Sequence, residues 1–214
     1  MKELQKAIHQ KHLEENFNKI YLVQGSLKNN TASFKLGIPI NVTLRDSNLD
    51  TLRLSAIEII HQFVAYFSAN VDFLKNIVLQ GIAPKVGIRV GIRSHGKYIL
   101  TEEDVLSCKK FDSAIANCSW PIEEWTQDKH VQIKYFAFDD FYQIPADCLI
   151  SNTMHNLFFA GKNISATNEA IASARVMGIC LQTGYAAGLL AANQSVNIPQ
   201  INTIRAIQTK QFFA

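Results

Sequence analysis

The segment from Phe158 to Gly178, FFAGKNISATNEAIASARVMG, places a glycine and polar residues before an apolar helix. The apolar run Leu157–Ala160 is typical of a strand and ends at Gly161, where the missing Cβ lets a ligand approach the backbone. Ser, Thr and Asn are frequent in residues 162–175 and compete for local hydrogen bonds, which predicts an irregular loop. The next helix is expected to begin near Val176–Gly178, where unpaired amides carry a partial positive charge. An anionic or electron-rich group would be stabilised there.

The other chemistry-bearing residues match no familiar catalytic or metal motif. The six histidines and four cysteines are dispersed, and GxSxG, HExxH and P-loop patterns are absent from the sequence. The sequence also lacks the GxGxxG turn that holds a dinucleotide pyrophosphate, because Gly87, Gly91 and Gly96 are four and five residues apart. His95 is either an active-site group in a loop or a turn histidine, and we favour the turn.

Composition excludes several classes of protein. With 48% hydrophobic and 18% charged residues the chain can bury a core, and its net charge of +3 is scattered rather than gathered in a basic stripe. We therefore expect a folded protein that binds no nucleic acid. Unpaired cysteines and an N-terminus without an apolar signal region predict a cytoplasmic protein with reduced thiols. Gln182, Thr183 and Tyr185 interrupt the apolar run Val176–Ala192, so we interpret it as a buried helix and expect no association with a membrane.

Apolar periodicity and turn residues predict an α+β fold. A mixed sheet is expected beside a long amphipathic helix, Asp46–Ala69, with Asn48 or Asp46 as its N-cap. A strand, a loop and a buried helix close the C-terminal end. The remaining predictions are a polar helix over 2–15, a β-hairpin of Asn18–Leu27 and Ala32–Val42, a short helix at Val71–Ile77, a helix start at Thr101 and strands at Val131–Phe138, Cys148–Ile150 and Leu157–Ala160.

Several separated motifs resemble one known family. The C-terminal run AGKNISATNEAIASARVMGICLQTGYAAG is similar to a signature of FAD-dependent oxidoreductases whose usual form is close to AGRCISATHEALGSIRVMPTCMAMGQAAG. Further upstream, YILTEEDVL resembles the family's YxLTEEDVL element, SWPI its SYPI step, and IP followed by CLI its IPYRCLIP segment. The order and the intervals agree over about residues 45–192.

The resemblance implies that this chain contributes to an FAD site. Gly161 and Lys162 would contact the middle of the cofactor, and Ser165 is assigned to the cofactor as well. The backbone amides of Val176 and Met177 would face the flavin's pyrimidine carbonyl, where negative charge develops on reduction. Arg175, the candidate catalytic residue, would lie beside the flavin and hold an anionic substrate or steady the reduced ring.

The family's N-terminal Rossmann-like half, with its phosphate loop, has no counterpart in this sequence. The sequence pattern predicts a polar leader helix at 1–17 and a tail at 193–214. Between them, the resemblance implies a substrate-side α+β region at 18–150 and the C-terminal part of an FAD-binding region at 151–192. We expect a small-molecule substrate and an N-terminal FAD-binding half or subunit as partner. The chain alone is expected to bind FAD weakly or not at all. An exposed apolar cofactor face also favours a homo-oligomer.

Two alternatives stay open. Asn168 replaces the family's His, Val90 and Ile92 replace a Glu and an Arg, and Gly178 replaces a Pro. These departures favour a non-catalytic remnant that keeps the fold and acts as a binding or assembly module. The other alternative is a binder of a different ligand between the hairpin and the long helix.

Overall fold

The structure is a computed structural model that describes residues 2–38, 46–124, 132–193, 202 and 204–206. The described residues form both helices and short antiparallel strands, which confirms the α+β class. The helices are α1 (Lys2–His9), α2 (Asp46–Asn70), α3 (Glu102–Leu106), α4 (Asn168–Ala174) and α5 (Met177–Asn193). The strands are β1 (Ile20–Leu22), β2 (Phe34–Leu36), β3 (Ala114–Cys118), β4 (Ile122–Glu124), β5 (Gln132–Lys134) and β6 (Tyr142–Pro145).

The strands form three antiparallel pairs, β1 with β2, β3 with β6 and β4 with β5. The prediction of one mixed sheet is therefore wrong for the described residues. Parallel pairing occurs there as an isolated bridge between Leu100 and Ala166. Each described strand has only three to five residues, so no pair forms a long ladder.

The chain divides into two compact units, Met1–Ile88 and Arg89–Ala214. The first unit confirms the predicted hairpin, as β1 and β2, and the predicted long helix, as α2. The helix begins at Asp46, so Asn48 lies inside it rather than at its N-cap. Its apolar face is only partly covered, because Leu54 is 67% exposed. The core of this unit contains Leu4, Phe17, Ile20, Ile59 and Phe67.

The second unit carries the candidate site. Its core consists of side chains from β3, β6, α4 and α5 together with the turns between them, including Ile115, Tyr142, Leu149, Ile171 and Leu190. The Tyr142 hydroxyl lies 2.7 Å from Ser173 Oγ, which donates in turn to the Trp120 carbonyl at 2.5 Å. This chain of bonds satisfies buried polar atoms and fixes α4 above β6.

Several predicted elements differ from those observed. Cys148 lies in a 3₁₀ turn, and the predicted strands Cys148–Ile150 and Leu157–Ala160 are reduced to a single antiparallel bridge between Ile150 and Phe158. Short buried apolar runs do not distinguish a strand from a turn by periodicity, which explains the error. The predicted helix at Val71–Ile77 is also only a 3₁₀ turn, Asp72–Leu74.

The loop predicted over residues 162–175 is wrong in its second half. A 3₁₀ turn, Gly161–Asn163, begins the segment, and α4 then occupies Asn168–Ala174. Thr167 caps α4, because its Oγ1 accepts a hydrogen bond from the Ala170 amide at 3.3 Å. The three alanines in α4 favour a helix more strongly than its Ser and Asn disfavour one.

Some predictions fall on residues outside the described ranges. These are the end of the second hairpin strand over 39–42, Val131 at the start of the predicted strand, and most of the tail at 193–214. Within that tail, Ile204 is buried in the core of the second unit, and the Arg205 guanidinium donates to the Ala114 carbonyl at 2.9 Å. The predicted boundaries at 17 and 150 stay predictions.

Candidate functional site

Gly161 forms a turn that needs its glycine. Its φ of +61° lies in the left-handed region, and a Cβ at this position would stand 3.6 Å from Cys180 Sγ. The Gly161 amide donates to Thr183 Oγ1 at 3.0 Å, and that hydroxyl donates in turn to the Cys180 carbonyl at 3.1 Å. The turn is thereby bonded to the middle of α5.

The start of α5 presents free backbone donors. The first bond of the helix joins the Cys180 amide to the Val176 carbonyl at 2.9 Å. Within the described chain, the amides of Val176 and Met177 donate to no other residue. The Met177 side chain is 84% exposed, and a Cβ at Gly178 would meet nothing within 4 Å. This end of α5 is therefore open and carries the partial positive charge of a 17-residue helix.

Arg175 ends α4 and is half-buried. Its Nη2 donates to the Glu123 backbone carbonyl at 2.8 Å, and Arg89 Nη1 lies 3.4 Å from a carboxylate oxygen of the same Glu123. Burial and then the nearby Arg89 cation lower the pKa of Arg175, while Glu123 opposes that shift. Arginine nevertheless stays protonated at neutral pH because its ordinary pKa is so high. A cation at this position suits an anionic group.

Cys180 connects these features. Its Sγ donates to the Arg175 carbonyl at 3.3 Å and lies beside the Gly161 turn. Burial raises the pKa of the Cys180 thiol, and the Lys162 cation acts against that rise. Arg175, Gly161 and Lys162 therefore surround one side chain on the first turn of α5. We call Gly161, Lys162, Arg175, Val176, Met177 and Cys180 the α5 wall.

Ser165 lies in different surroundings from the α5 wall. The Ser165 amide donates to the Cys148 carbonyl, and the Ser165 carbonyl accepts from the Leu100 amide. A Cβ added at Gly96 would be 2.9 Å from the Cβ of Ser165. The residue is 1% exposed, and its hydroxyl bonds to no other described residue. A buried, unpaired hydroxyl is costly unless something satisfies it. The assignment of Ser165 to the cofactor stays a prediction.

Three polar residues on α5 were not predicted as functional. Cys180 is half-buried, Gln182 is 8% exposed and Thr183 is fully buried, and all three bond to residues outside the helix. The sequence does hold a signal for two of them, since Gln182 and Thr183 interrupt an otherwise apolar helix. A buried polar side chain must find a partner, so such an interruption marks a specific contact.

A separate open groove of about 660 Å³ lies between α3 and α4 and contains none of the predicted site residues. Its lining includes the carboxylates of Glu102, Glu103 and Glu169. These charges would repel an anionic cofactor such as a dinucleotide, whereas the α5 wall would attract one. We therefore take the α5 wall as the candidate site.

The described residues contain no cluster of His, Cys, Asp or Glu side chains arranged to hold a metal ion. None of the helices in these ranges is both long and apolar enough to cross a membrane.

Comparison with known proteins identifies one relationship. The family model described as FAD dependent oxidoreductase matches residues 2–211, which is nearly the whole sequence. No curated protein and no solved structure matches the chain. A match of this extent agrees with the separate motifs noted above. The chain belongs to the FAD dependent oxidoreductase family.

Proposed function

We propose that this chain supplies the ring-facing wall of an FAD site, and the substrate side of an oxidoreductase that moves hydride between an organic substrate and flavin. The observation that carries the proposal is the α5 wall. There one thiol, that of Cys180, joins the Gly161 turn to the Arg175 carbonyl beside the unpaired amides of α5. The family supports FAD as the cofactor.

The donor groups in the α5 wall fit the ring end of FAD. The amides of Val176 and Met177, which donate to no residue in the described ranges, suit a carbonyl on which negative charge develops. Arg175 adds a fixed cation, and Lys162 adds a second one within the neighbouring 3₁₀ turn. FAD, when bound, accepts or donates the hydride at its N5 atom, and the protein orients the reactants.

The phosphate end of FAD requires groups from elsewhere. The 214 residues contain no GxGxxG turn, and the carboxylate-lined groove is unsuited to a pyrophosphate. We therefore propose that a Rossmann-like half outside these residues, on a further segment or a separate subunit, holds the pyrophosphate. An adjacent upstream reading frame that encodes GxGxxG would support this arrangement.

The proposal is tested by titrating the full isotope-labelled chain with FAD and following backbone amide resonances by NMR. We expect weak binding, on the order of millimolar, with the largest shifts at Val176, Met177 and Gly161. Amide shifts confined to the groove at Glu102 and Glu169, or to α2, would contradict the proposed site. The complementary measurement mixes the chain with a candidate N-terminal half. Appearance of a visible flavin band in the purified complex is the expected result.

The second candidate function is a non-catalytic binding or assembly module. Ile92, which replaces a family arginine, is 75% exposed and brings no charge to the protein surface. The two functions differ in a measurable way. A module of this kind binds its partner without acquiring a visible flavin band. The oxidoreductase acquires the band, and the band disappears when the substrate reduces the flavin.

A further inference from the structure

We infer that Thr183 and Gln182 are positioning residues that hold the α5 wall in one geometry for the flavin. This inference rests on the proposed function and goes beyond it, because neither residue touches the cofactor in that proposal. Both are buried polar residues in a helix whose other side chains, apart from Tyr185 and Asn193, are apolar or small.

Thr183 joins two parts of the α5 wall, namely Cys180 and the Gly161 turn, which lies 22 residues before Thr183 in the sequence. Its Oγ1 accepts the hydrogen bond of the Gly161 amide and donates to the Cys180 carbonyl. The Gly161 turn therefore cannot shift along α5 without breaking a hydrogen bond in the interior. Thr183 is 0% exposed, so water cannot replace the Gly161 amide as the partner of its hydroxyl.

Gln182 fixes the same helix to the sheet. Its side-chain Oε1 accepts from the Asn117 amide at 3.1 Å, and its Nε2 donates to the Asn117 carbonyl at 3.1 Å. The side chain thus pairs with one residue of β3 through both backbone groups, as a neighbouring strand would. The same Nε2 also lies 3.4 Å from the Gly178 carbonyl in the first turn of α5.

Together the two side chains define where the α5 amides point. Gln182 sets the rotation of α5 against β3, and Thr183 sets its position against the Gly161 turn. A binding site requires its donors to be held within about half an ångström of the productive geometry. Hydrogen bonds that cross between elements provide that restraint better than apolar packing, which tolerates small shifts.

The test uses two variants that remove the bonds and keep the volume, Thr183→Val and Gln182→Met. Thr183→Ser keeps the hydroxyl and serves as the rescue. Thr101→Val is the matched control. It removes the partly buried hydrogen bond from the Asp104 amide to the Thr101 hydroxyl at the N-cap of α3, in a different part of the second unit. The first readout is hydrogen exchange of the Gly161 amide, and the second is the FAD titration by NMR described above.

We expect Thr183→Val to raise the exchange rate of the Gly161 amide roughly 2- to 10-fold, the range that one hydrogen bond supports. We expect Thr183→Val and Gln182→Met each to weaken FAD binding roughly tenfold. Thr183→Ser and Thr101→Val are expected to bind FAD as the unchanged protein does. If Thr183→Val does not fold, Gln182→Met tests the same statement at the less buried position.

Two results would overturn the inference and leave the proposed function intact. One is an FAD affinity of Thr183→Val equal to that of the unchanged protein, although the Gly161 amide exchanges its hydrogen faster in the variant. The other is an equal loss of binding in Thr101→Val, which would assign the effect to general destabilisation. Absence of any amide shift in the unchanged protein would instead overturn the proposed function, and the inference with it.

Discussion

At the scale of single residues, two glycines illustrate different constraints. Gly161 has a positive φ, whereas Gly96 has no room for a side chain, because a Cβ there would be 2.7 Å from the Asp147 carbonyl oxygen. The sequence predicted that the apolar run ends at Gly161, since a glycine directly after such a run is a local signal, but it did not predict the positive φ. The close approach at Gly96 was not predicted, because it depends on residues 51 or more positions away in the chain.

Gly161→Ala tests the backbone requirement in the α5 wall. We expect a loss of about 1–2 kcal/mol in the free energy of unfolding, because alanine is strained at positive φ. Gly178→Ala is the matched control, since its φ is not positive and its Cβ would meet nothing within 4 Å. The control is expected to be neutral or stabilising by up to about 1 kcal/mol. Denaturant unfolding measures both, and equal effects at the two positions would contradict the prediction.

At the scale of elements, α3 shows how far local signals reach. Thr101 and Asp104 form a capping box, in which the Asp104 amide donates to Thr101 Oγ1 at 3.2 Å and the Thr101 amide donates to Asp104 Oδ2 at 3.0 Å. The helix start was predicted because both partners lie within one turn. The contacts that bury Asp104 were not predicted. Tyr98 and Lys109 donate to its carboxylate, Tyr98 at 2.9 Å and Lys109 at 2.8 Å.

Asp104→Asn is expected to destabilise the protein by about 1–3 kcal/mol near neutral pH, because it weakens charge-assisted bonds in the interior. Burial alone raises the pKa of Asp104, but hydrogen bonds from Lys109, the Thr101 amide and Tyr98 outweigh it and hold the pKa below its ordinary value. A lowered folded-state pKa stabilises the protein above the unfolded-state pKa of about 3.9.

This stabilisation is lost as the pH falls through the folded-state pKa of Asp104. The free energy of unfolding of the unchanged protein should therefore decrease more steeply below about pH 4 than that of Asp104→Asn. Glu103→Gln, an exposed change in the same helix turn, is the control for surface charge. Parallel pH profiles for the unchanged protein and Asp104→Asn would contradict the assignment.

The C-terminal elements show where sequence reasoning failed. The start of α5 was predicted within one or two residues, because its apolar run is long. By contrast, the Ser and Asn content of residues 162–175 predicts a loop where α4 forms, because the alanines of this segment favour a helix more strongly. The partner of Gln182 lies 65 residues away, at Asn117, and no local pattern encodes such a pair.

At the scale of the whole molecule, α5 leaves an apolar face exposed. Met177 and Leu181 are 84% and 61% exposed, and Gly184 and Gly188 have nothing within 4 Å of an added Cβ. No charged residue occurs in α5. An exposed helix face normally carries polar side chains, so we expect this face to be covered in solution by another protein surface.

Leu181→Lys is expected to shift the protein toward a smaller assembly with little change in stability. A lysine on the exposed apolar face opposes its burial against another surface. Leu54→Lys is the matched control, because Leu54 is also an exposed helical leucine, at 67%, but lies in α2. Sedimentation velocity over a range of concentrations provides the measurement. Equal effects of the two lysines would place the association elsewhere.

The four thiols of this chain differ in their surroundings in a way that makes one of them a natural reporter. Cys108, Cys118 and Cys148 are buried, and burial raises the pKa of each. Cys180 alone among the four is half-buried, and Lys162 partly offsets the rise in its pKa. A maleimide reagent should therefore label Cys180 first in the native protein. Since Cys180 touches both the Gly161 turn and Arg175, its labelling rate would reveal occupancy of this site without any engineered probe.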